Sequence, residues 1–352
     1  MLKKRIGMIV ISMVFAFAAL SWAAGGPPNV SSDLEKLGMK LYNDKDLSFN
    51  GTQSCRNCHH HFSGFADITN HIDPYANFVS TGADGVSKGG RNAPSSAYAG
   101  FSPILSRDSS GYMGGMFWDG RADGSTLGDP LAEQAQGPPL NPVEMAMPSK
   151  ADIIAVIAGS EYARLWNRVF GAGSLDDVDA AYDNFGRAIA AYERSADVTK
   201  FTSKFDSGTL SPAEQAGLAL FNTHCASCHS TEANFGSPAP LFTNYRYANI
   251  GIPANPGIPS NAPDLGLGPV VGESAENGKF KIPTLRNIAL TAPYSHNGVF
   301  PTLMEMLQFI NDRNGVVPDC GENLSDKVGN LGLDQNALDQ IAAFLNALTD
   351  DY

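Results

Sequence analysis

Cys55-Arg56-Asn57-Cys58-His59 has a twin in Cys225-Ala226-Ser227-Cys228-His229. C-x-x-C-H is the attachment signature of c-type haem. Two thiols one helical turn apart reach the two vinyl groups of one porphyrin, and the imidazole that follows is then held under the iron as its proximal ligand. A zinc site spaces its C-x-x-C pairs by roughly 15–20 residues. Here 166 residues separate Cys58 from Cys225, and both histidines would be left without a role. A thioredoxin-like redox pair needs no histidine after it and would not recur. The pattern therefore predicts two covalent haems, on Cys55, Cys58, His59 and on Cys225, Cys228, His229.

Each pentapeptide follows an amphipathic helix. Upstream of the first, Ser31 or Ser32 caps a helix reaching Asn43, with Leu34, Leu37, Leu41 and Tyr42 on one face. Upstream of the second, Ser211-Pro212-Ala213-Glu214 is a capping box with proline at the first helical position. Its helix runs through Leu218 and Phe221 into Cys225. Further helices are expected after Ser149, over 175–194 with Phe185, Ile189 and Tyr192, over Thr302–Asp312, and after Asp334 with Leu338, Ile341, Phe344 and Leu345 inward. Residues 63–115 and 235–278 are rich in Gly, Pro, Ser and Asn; connectors this long are usually functional, and loops wrapped around a haem fit them. The expected fold is mainly α with few strands and long ordered loops. It comprises two cytochrome c-like domains, residues 24–196 and 197–352, with 197–209 as hinge and the last helix packing back on the first domain.

The chain has 352 residues, 43% hydrophobic and 17% charged, which suits two domains. Lys3, Lys4 and Arg5, the apolar run Ile6–Leu20, and the small residues Ser21 and Ala23 read as an export signal cleaved near Ala23, shorter than a comfortable membrane span; an uncleaved anchor is the other reading. Export agrees with haem attachment, which takes place outside the cytoplasm, and predicts a periplasmic protein. A net charge of −12 argues against nucleic acid as partner. Of five cysteines, Cys320 remains, read as a buried thiol.

For catalysis one iron must offer a free position to a small oxidant, and an acid/base must stand beside it. Glu144 lies in a Pro-flanked, low-charge segment where desolvation would raise its pKa. Trp118 is placed to relay electrons between haems, or to fill the core. His60 and His61 read as surface or propionate neighbours, and His71 as a candidate distal ligand.

The order Arg91-Asn92-Ala93-Pro94, Phe117-Trp118-Asp119-Gly120-Arg121, Glu133-Gln134-Ala135, Asn141-Pro142-Val143-Glu144-Met145, Pro283-Thr284-Leu285-Arg286-Asn287 and Pro293-Tyr294-Ser295-His296-Asn297-Gly298, laid around the two C-x-x-C-H motifs, resembles the bacterial dihaem cytochrome c peroxidase family, which includes the MauG-like enzymes that oxidise residues of a partner protein. The resemblance implies a peroxidatic haem on His59, Glu144 as distal acid/base with Gln134 as pocket neighbour, an electron-accepting haem on His229, and Trp118 between them. It also implies Ca²⁺ held by Asn92, Thr291 and Pro293, an oxygen-ligand set of the kind calcium takes. A homodimer and a small cytochrome c or cupredoxin donor are implied as well.

Two departures stand out. The segment Gly82–Gly90 lacks the histidine that in many relatives blocks the peroxidatic iron, so that iron is expected to be open in every redox state. The family's sixth ligand to the other haem, Met or Tyr, falls 14 residues after His296, where this chain has Ile310. Met306, one turn earlier, is the expected substitute; Met304 and an open iron are the alternatives. Reduction of hydrogen peroxide by an exported oxidoreductase is the leading function. Oxidation of a partner's Trp or Tyr, and plain electron transfer, are the others.

Overall fold

Two helix crossings, one ahead of each cysteine motif, organise the chain. In the computed structural model, which describes residues 32–258, 262–313 and 315–352, twelve helices account for nearly all regular structure. The first half holds α1 (Asp33–Asn43), α2 (Cys55–Cys58), α3 (Ile68–Ile72), α4 (Pro130–Ala135), α5 (Gly137–Leu140), α6 (Lys150–Gly159), α7 (Ala163–Phe170) and α8 (Val178–Glu193). The second holds α9 (Pro212–His224), α10 (Leu267–Val271), α11 (Leu303–Asn311) and α12 (Gln335–Asn346). Strands are confined to two short antiparallel pairs, β1 (Ser106–Asp108) with β2 (Gly111–Met113), and β3 (Tyr247–Ala248) with β4 (Phe280–Lys281). The expected export signal lies outside the described residues, and among those described no helix is long and apolar enough to cross a membrane.

Capping chemistry sets the helix starts. Ser32 and Glu35, Ser211 and Glu214, and Thr302 and Glu305 form reciprocal capping boxes, and Ser149 and Asp334 cap α6 and α12. Helix α7 carries no such signal. Tyr162 stands at its cap position without a side-chain bond, and the sequence reading passed over it.

In the first half, Leu37, Leu41 and Tyr42 of α1 pack with Tyr182, Phe185 and Ile189 of α8, backed by Ile153, Ile157 and Trp166. In the second, Phe221 of α9 packs with Phe242 and with Leu338, Ile341 and Phe344 of α12. Both crossings need a glycine. A Cβ on Gly38 would lie 1.9 Å from the Ala188 carbonyl oxygen, and one on Gly217 would lie 1.9 Å from that of Gln340. Each motif therefore follows a helix locked at contact distance to another.

The halves meet across a polar and aromatic seam. Arg286 is fully buried, paired through both terminal nitrogens with Asp206, bonded to the Pro240 carbonyl, and stacked near Tyr98, Phe201 and Phe242. Arg91 clamps Asp264 with two nitrogens and Asp119 with the third. The last helix lies on α9, and the tail behind it reaches the first half: Asp350 accepts from Tyr98, and Tyr352 meets Phe65 edge-on.

Candidate haem sites and distal pocket

Cys55 and Cys58 bracket α2, a single turn that sets the two thiols on one side. The imidazole of His59 is fixed by its Nδ1, which donates to the Phe65 carbonyl at 3.1 Å. That bond assigns the proton to Nδ1 and leaves Nε2 as a free lone pair. Burial lowers the pKa of His59, which keeps the ring neutral, as metal ligation requires. The second motif repeats the device: His229 Nδ1 donates to the Phe242 carbonyl at 2.8 Å, and burial pushes its pKa down to about 4. Two preset neutral imidazoles, each beside two unpaired thiols, are the donor set covalent haem requires.

The second motif opens on a cavity of about 290 Å³ lined by Cys225, Cys228, His229 and mostly apolar side chains. On its wall, α11 presents Leu303, Met306, Leu307 and Ile310. Met304 is not on that wall; its sulfur accepts a bond from Gln335 at 3.6 Å. Of the two methionines, Met306 therefore has access to the site. Trp118, Asn92, Thr291, Pro293 and the buried thiol Cys320 line the same cavity.

Trp118 is held at both ends. Its indole N–H donates to the Asn92 carbonyl at 2.8 Å, and its own carbonyl accepts from the Lys281 backbone N–H at 2.9 Å. The Asn92 amide lies 2.7 Å from the Pro293 carbonyl oxygen, so two of the three residues expected at a calcium site already touch.

A second cavity, of about 380 Å³, is lined by Phe117, Arg121, Gln136, Pro138, Asn141 and Glu144, among others. The Asn141 amide donates to Glu144 at 2.7 Å. Burial raises the Glu144 pKa, while Arg121 and the Asn141 bond hold it back. The Met145 carbonyl accepts from the Phe49 N–H at 3.0 Å, and Gln53, two residues ahead of Cys55, bonds the Thr81 carbonyl of the loop that meets Glu144, which places this carboxyl on the side of the first motif.

The loop without histidine closes over the same segment. The Ala83 N–H donates to the Glu144 carbonyl at 2.7 Å, and a Cβ on Gly82 would come within 2.6 Å of the Val143 carbonyl oxygen.

Other candidates fall elsewhere. Gln134 is absent from the lining of this pocket. Gln136, two residues on, lines it and is tied down by bonds to Tyr182 and Asp183. Glu133 accepts three backbone N–H groups, from Gly124, Thr126 and Leu127, and so shapes the loop beside the pocket. His60 and His61 stack on one another next to Arg56 and the exposed Phe62. His71 lies on α3 with its Nδ1 buried and without a partner, and it does not line the Glu144 pocket. The sequence reading passed over two residues, Gln136 and Lys281. Nothing local distinguishes Gln136 from Gln134, and Lys281 sits in a short strand whose depth only the fold reveals.

Residues 32–211 match the family model for di-haem cytochrome c peroxidase. The chain is 38% identical to methylamine utilization protein MauG of Paracoccus denitrificans, over 90% of this chain and 88% of that one. It is 31% identical to the cytochrome c551 peroxidase of Nitrosomonas europaea, over 91% of this chain and 81% of that one. Among solved structures, the dihaem peroxidase BthA of Burkholderia thailandensis superposes with a TM-score of 0.79 at 27% identity, covering 92% of this chain and 87% of that one. With two preset imidazoles, two thiol pairs and a half-buried carboxyl on the side of the first, the chain belongs to the di-haem cytochrome c peroxidase family of oxidoreductases.

Proposed function

We propose that this protein reduces hydrogen peroxide to water in the periplasm, drawing electrons from a small cytochrome c or cupredoxin. One observation carries the reading: a half-buried carboxyl, Glu144, lines a pocket on the side of the first motif, and the loop bonded to its backbone, Gly82–Gly90, holds no histidine. Cys55, Cys58 and His59 would hold a haem, which would supply the redox iron at which peroxide reacts. Glu144, ionised, takes the proton from one peroxide oxygen and returns it to the other, so that the leaving group is water rather than hydroxide. The Asn141 amide fixes the carboxyl that moves the proton, and Ala83 fixes its backbone. Two electrons and two protons convert each peroxide into two waters.

In this reading the second cavity receives the electrons. Cys225, Cys228 and His229 would hold its haem, and Met306 is the cavity side chain that would offer a thioether to the iron. Trp118, bonded to both Asn92 and Lys281, bridges the two sites. Calcium at Asn92, Thr291 and Pro293 would brace this bridge, since Asn92 also holds the indole. Two domains, one per haem, with the seam at Arg286 and Arg91, and a homodimer complete the reading.

The test is stopped-flow spectroscopy of the all-ferric protein. Mixing with peroxide changes the haem spectrum at once, without prior reduction; a protein that stays silent until half reduced does not have the open site. A second reading is favoured by the 38% identity to MauG: the same site oxidises Trp or Tyr of a partner protein. Slow turnover with reduced cytochrome c, beside a long-lived oxidised spectrum, would select it.

A further inference from the structure

Two lysines line the second cavity: Lys327 is exposed at its rim, while Lys281, on β4, is set into its wall among the lining residues Trp118, Tyr245, Cys228 and His229. Its ammonium meets only uncharged groups: Ser102 Oγ at 2.5 Å, the Gly115 carbonyl, Met116 Sδ at 3.8 Å, and the ring of Tyr245 at 4.9 Å. No carboxylate pairs with it among the described residues. The two acids that share the cavity wall are engaged elsewhere, Asp264 by Arg91 and Asp319 by the Asp264 N–H. Lys281 is half-buried in this wall, and a cation drawn out of water without an anion is costly, so proteins either pair it or neutralise it. Burial alone pushes the Lys281 pKa down to about 7, a position that an anion in the cavity would reverse.

We propose that Lys281 is the cation that receives an acidic side group of the haem held by Cys225, Cys228 and His229, and that its charge raises the reduction potential of that haem. The argument rests on the reading of this cavity as a haem site, and it leaves the peroxide chemistry aside. A positive charge beside the porphyrin disfavours the extra positive charge of ferric iron and so favours the ferrous state. Its hydrogen bonds to Ser102 and Gly115 hold the charge in place, and the neighbouring Trp118 backbone links that position to the bridge between the sites.

The experiment is spectroelectrochemical titration of the full dihaem protein, wild type against Lys281→Met and Lys281→Gln, after covalent haem has been counted. With two haems present, the neutral variants are expected to shift the ferrous/ferric ratio of the second haem about tenfold toward ferric at fixed potential, a fall of about 59 mV. The first haem should move far less. A shift under twofold in a variant with both haems overturns the proposal. If neither neutral variant retains the second haem, Lys281→Arg decides: recovery of both haems supports a requirement for charge, and failure overturns it. A wild type lacking the second haem would instead sink the reading of the cavity, and a wild type that holds both haems yet ignores peroxide would sink only the proposed activity.

Discussion

At the residue scale, Glu144 joins depth to reach. Its carboxyl is held up by burial and steadied by Asn141, so its proton affinity sits above that of an ordinary glutamate. The proposed cycle begins with the ionised form. Activity should therefore fall as pH drops through the raised pKa, and this acid limb should lie above the usual glutamate range near 4.3. Glu144→Gln should lose roughly 10²–10⁴ in kcat and lose the limb with it, while both haem spectra remain. Steady-state peroxide turnover between pH 4 and 8 checks both; near-normal turnover of the variant removes Glu144 from its role. Met306 makes the second residue-scale case. It lines the second cavity and Met304 does not, so Met306→Ala should convert the ferric second haem from low to high spin in low-temperature EPR. Met304→Ala should leave that signal alone, and the reverse result would reassign the ligand.

At the scale of elements, the helices whose starts carry capping boxes were legible in sequence, because cap chemistry is local and its residues are few. Helix α7 was not, because its only signals are apolar residues over eight positions with no cap. The long loops were legible as loops and not as shapes. Glu133 bonding three backbone N–H groups, or Ala83 bonding Glu144, depends on segments brought together by the rest of the fold. The crossing glycines belong here too, since Gly38 and Gly217 look like ordinary helix weaknesses until the partner helix is seen. In isolation glycine costs a helix about 0.5–1 kcal/mol relative to alanine. Here the sign inverts, because alanine would thrust its Cβ into a backbone carbonyl. Gly217→Ala should destabilise the protein by about 1–3 kcal/mol, the usual range for overpacking, and lower the yield of haem at Cys225 and Cys228 more than at Cys55 and Cys58. Urea unfolding and a haem count per chain read the two effects; a stabilised variant would mean that α9 and α12 do not cross as described.

For the whole molecule, the decisive question is what keeps two haem sites at a fixed spacing. The apolar cores centre on α1 with α8 and on α9 with α12, and Val198, Leu241 and Tyr245 join the first of them from the second half. Beside that shared apolar edge the contacts are ionic and aromatic, and Arg286 is the most deeply placed. Its guanidinium is fully buried and shared between the Asp206 carboxylate, the Pro240 carbonyl and the aromatic faces around it. A pair of this kind adds little net stability over an apolar replacement, but removing one partner strands the other charge, at a cost of about 3–5 kcal/mol. Arg286→Met leaves Asp206 with its Ser203 bonds and no cation, and it removes the plane that faces Tyr98 and Phe201. The double variant Arg286→Met with Asp206→Asn should recover part of that loss, since no buried charge is then left alone. Stability alone would make this an ordinary buried pair. The functional prediction is sharper: the rate of electron exchange between the haems should fall in the single variant and stay low in the double one, because neutralising Asp206 does not restore the wedge between Tyr98 and Phe242. Flash reduction of the second haem, followed by the spectrum of the first, measures that rate. An unchanged rate in a folded single variant would show that the seam's geometry is held by Arg91 and the C-terminal tail without Arg286.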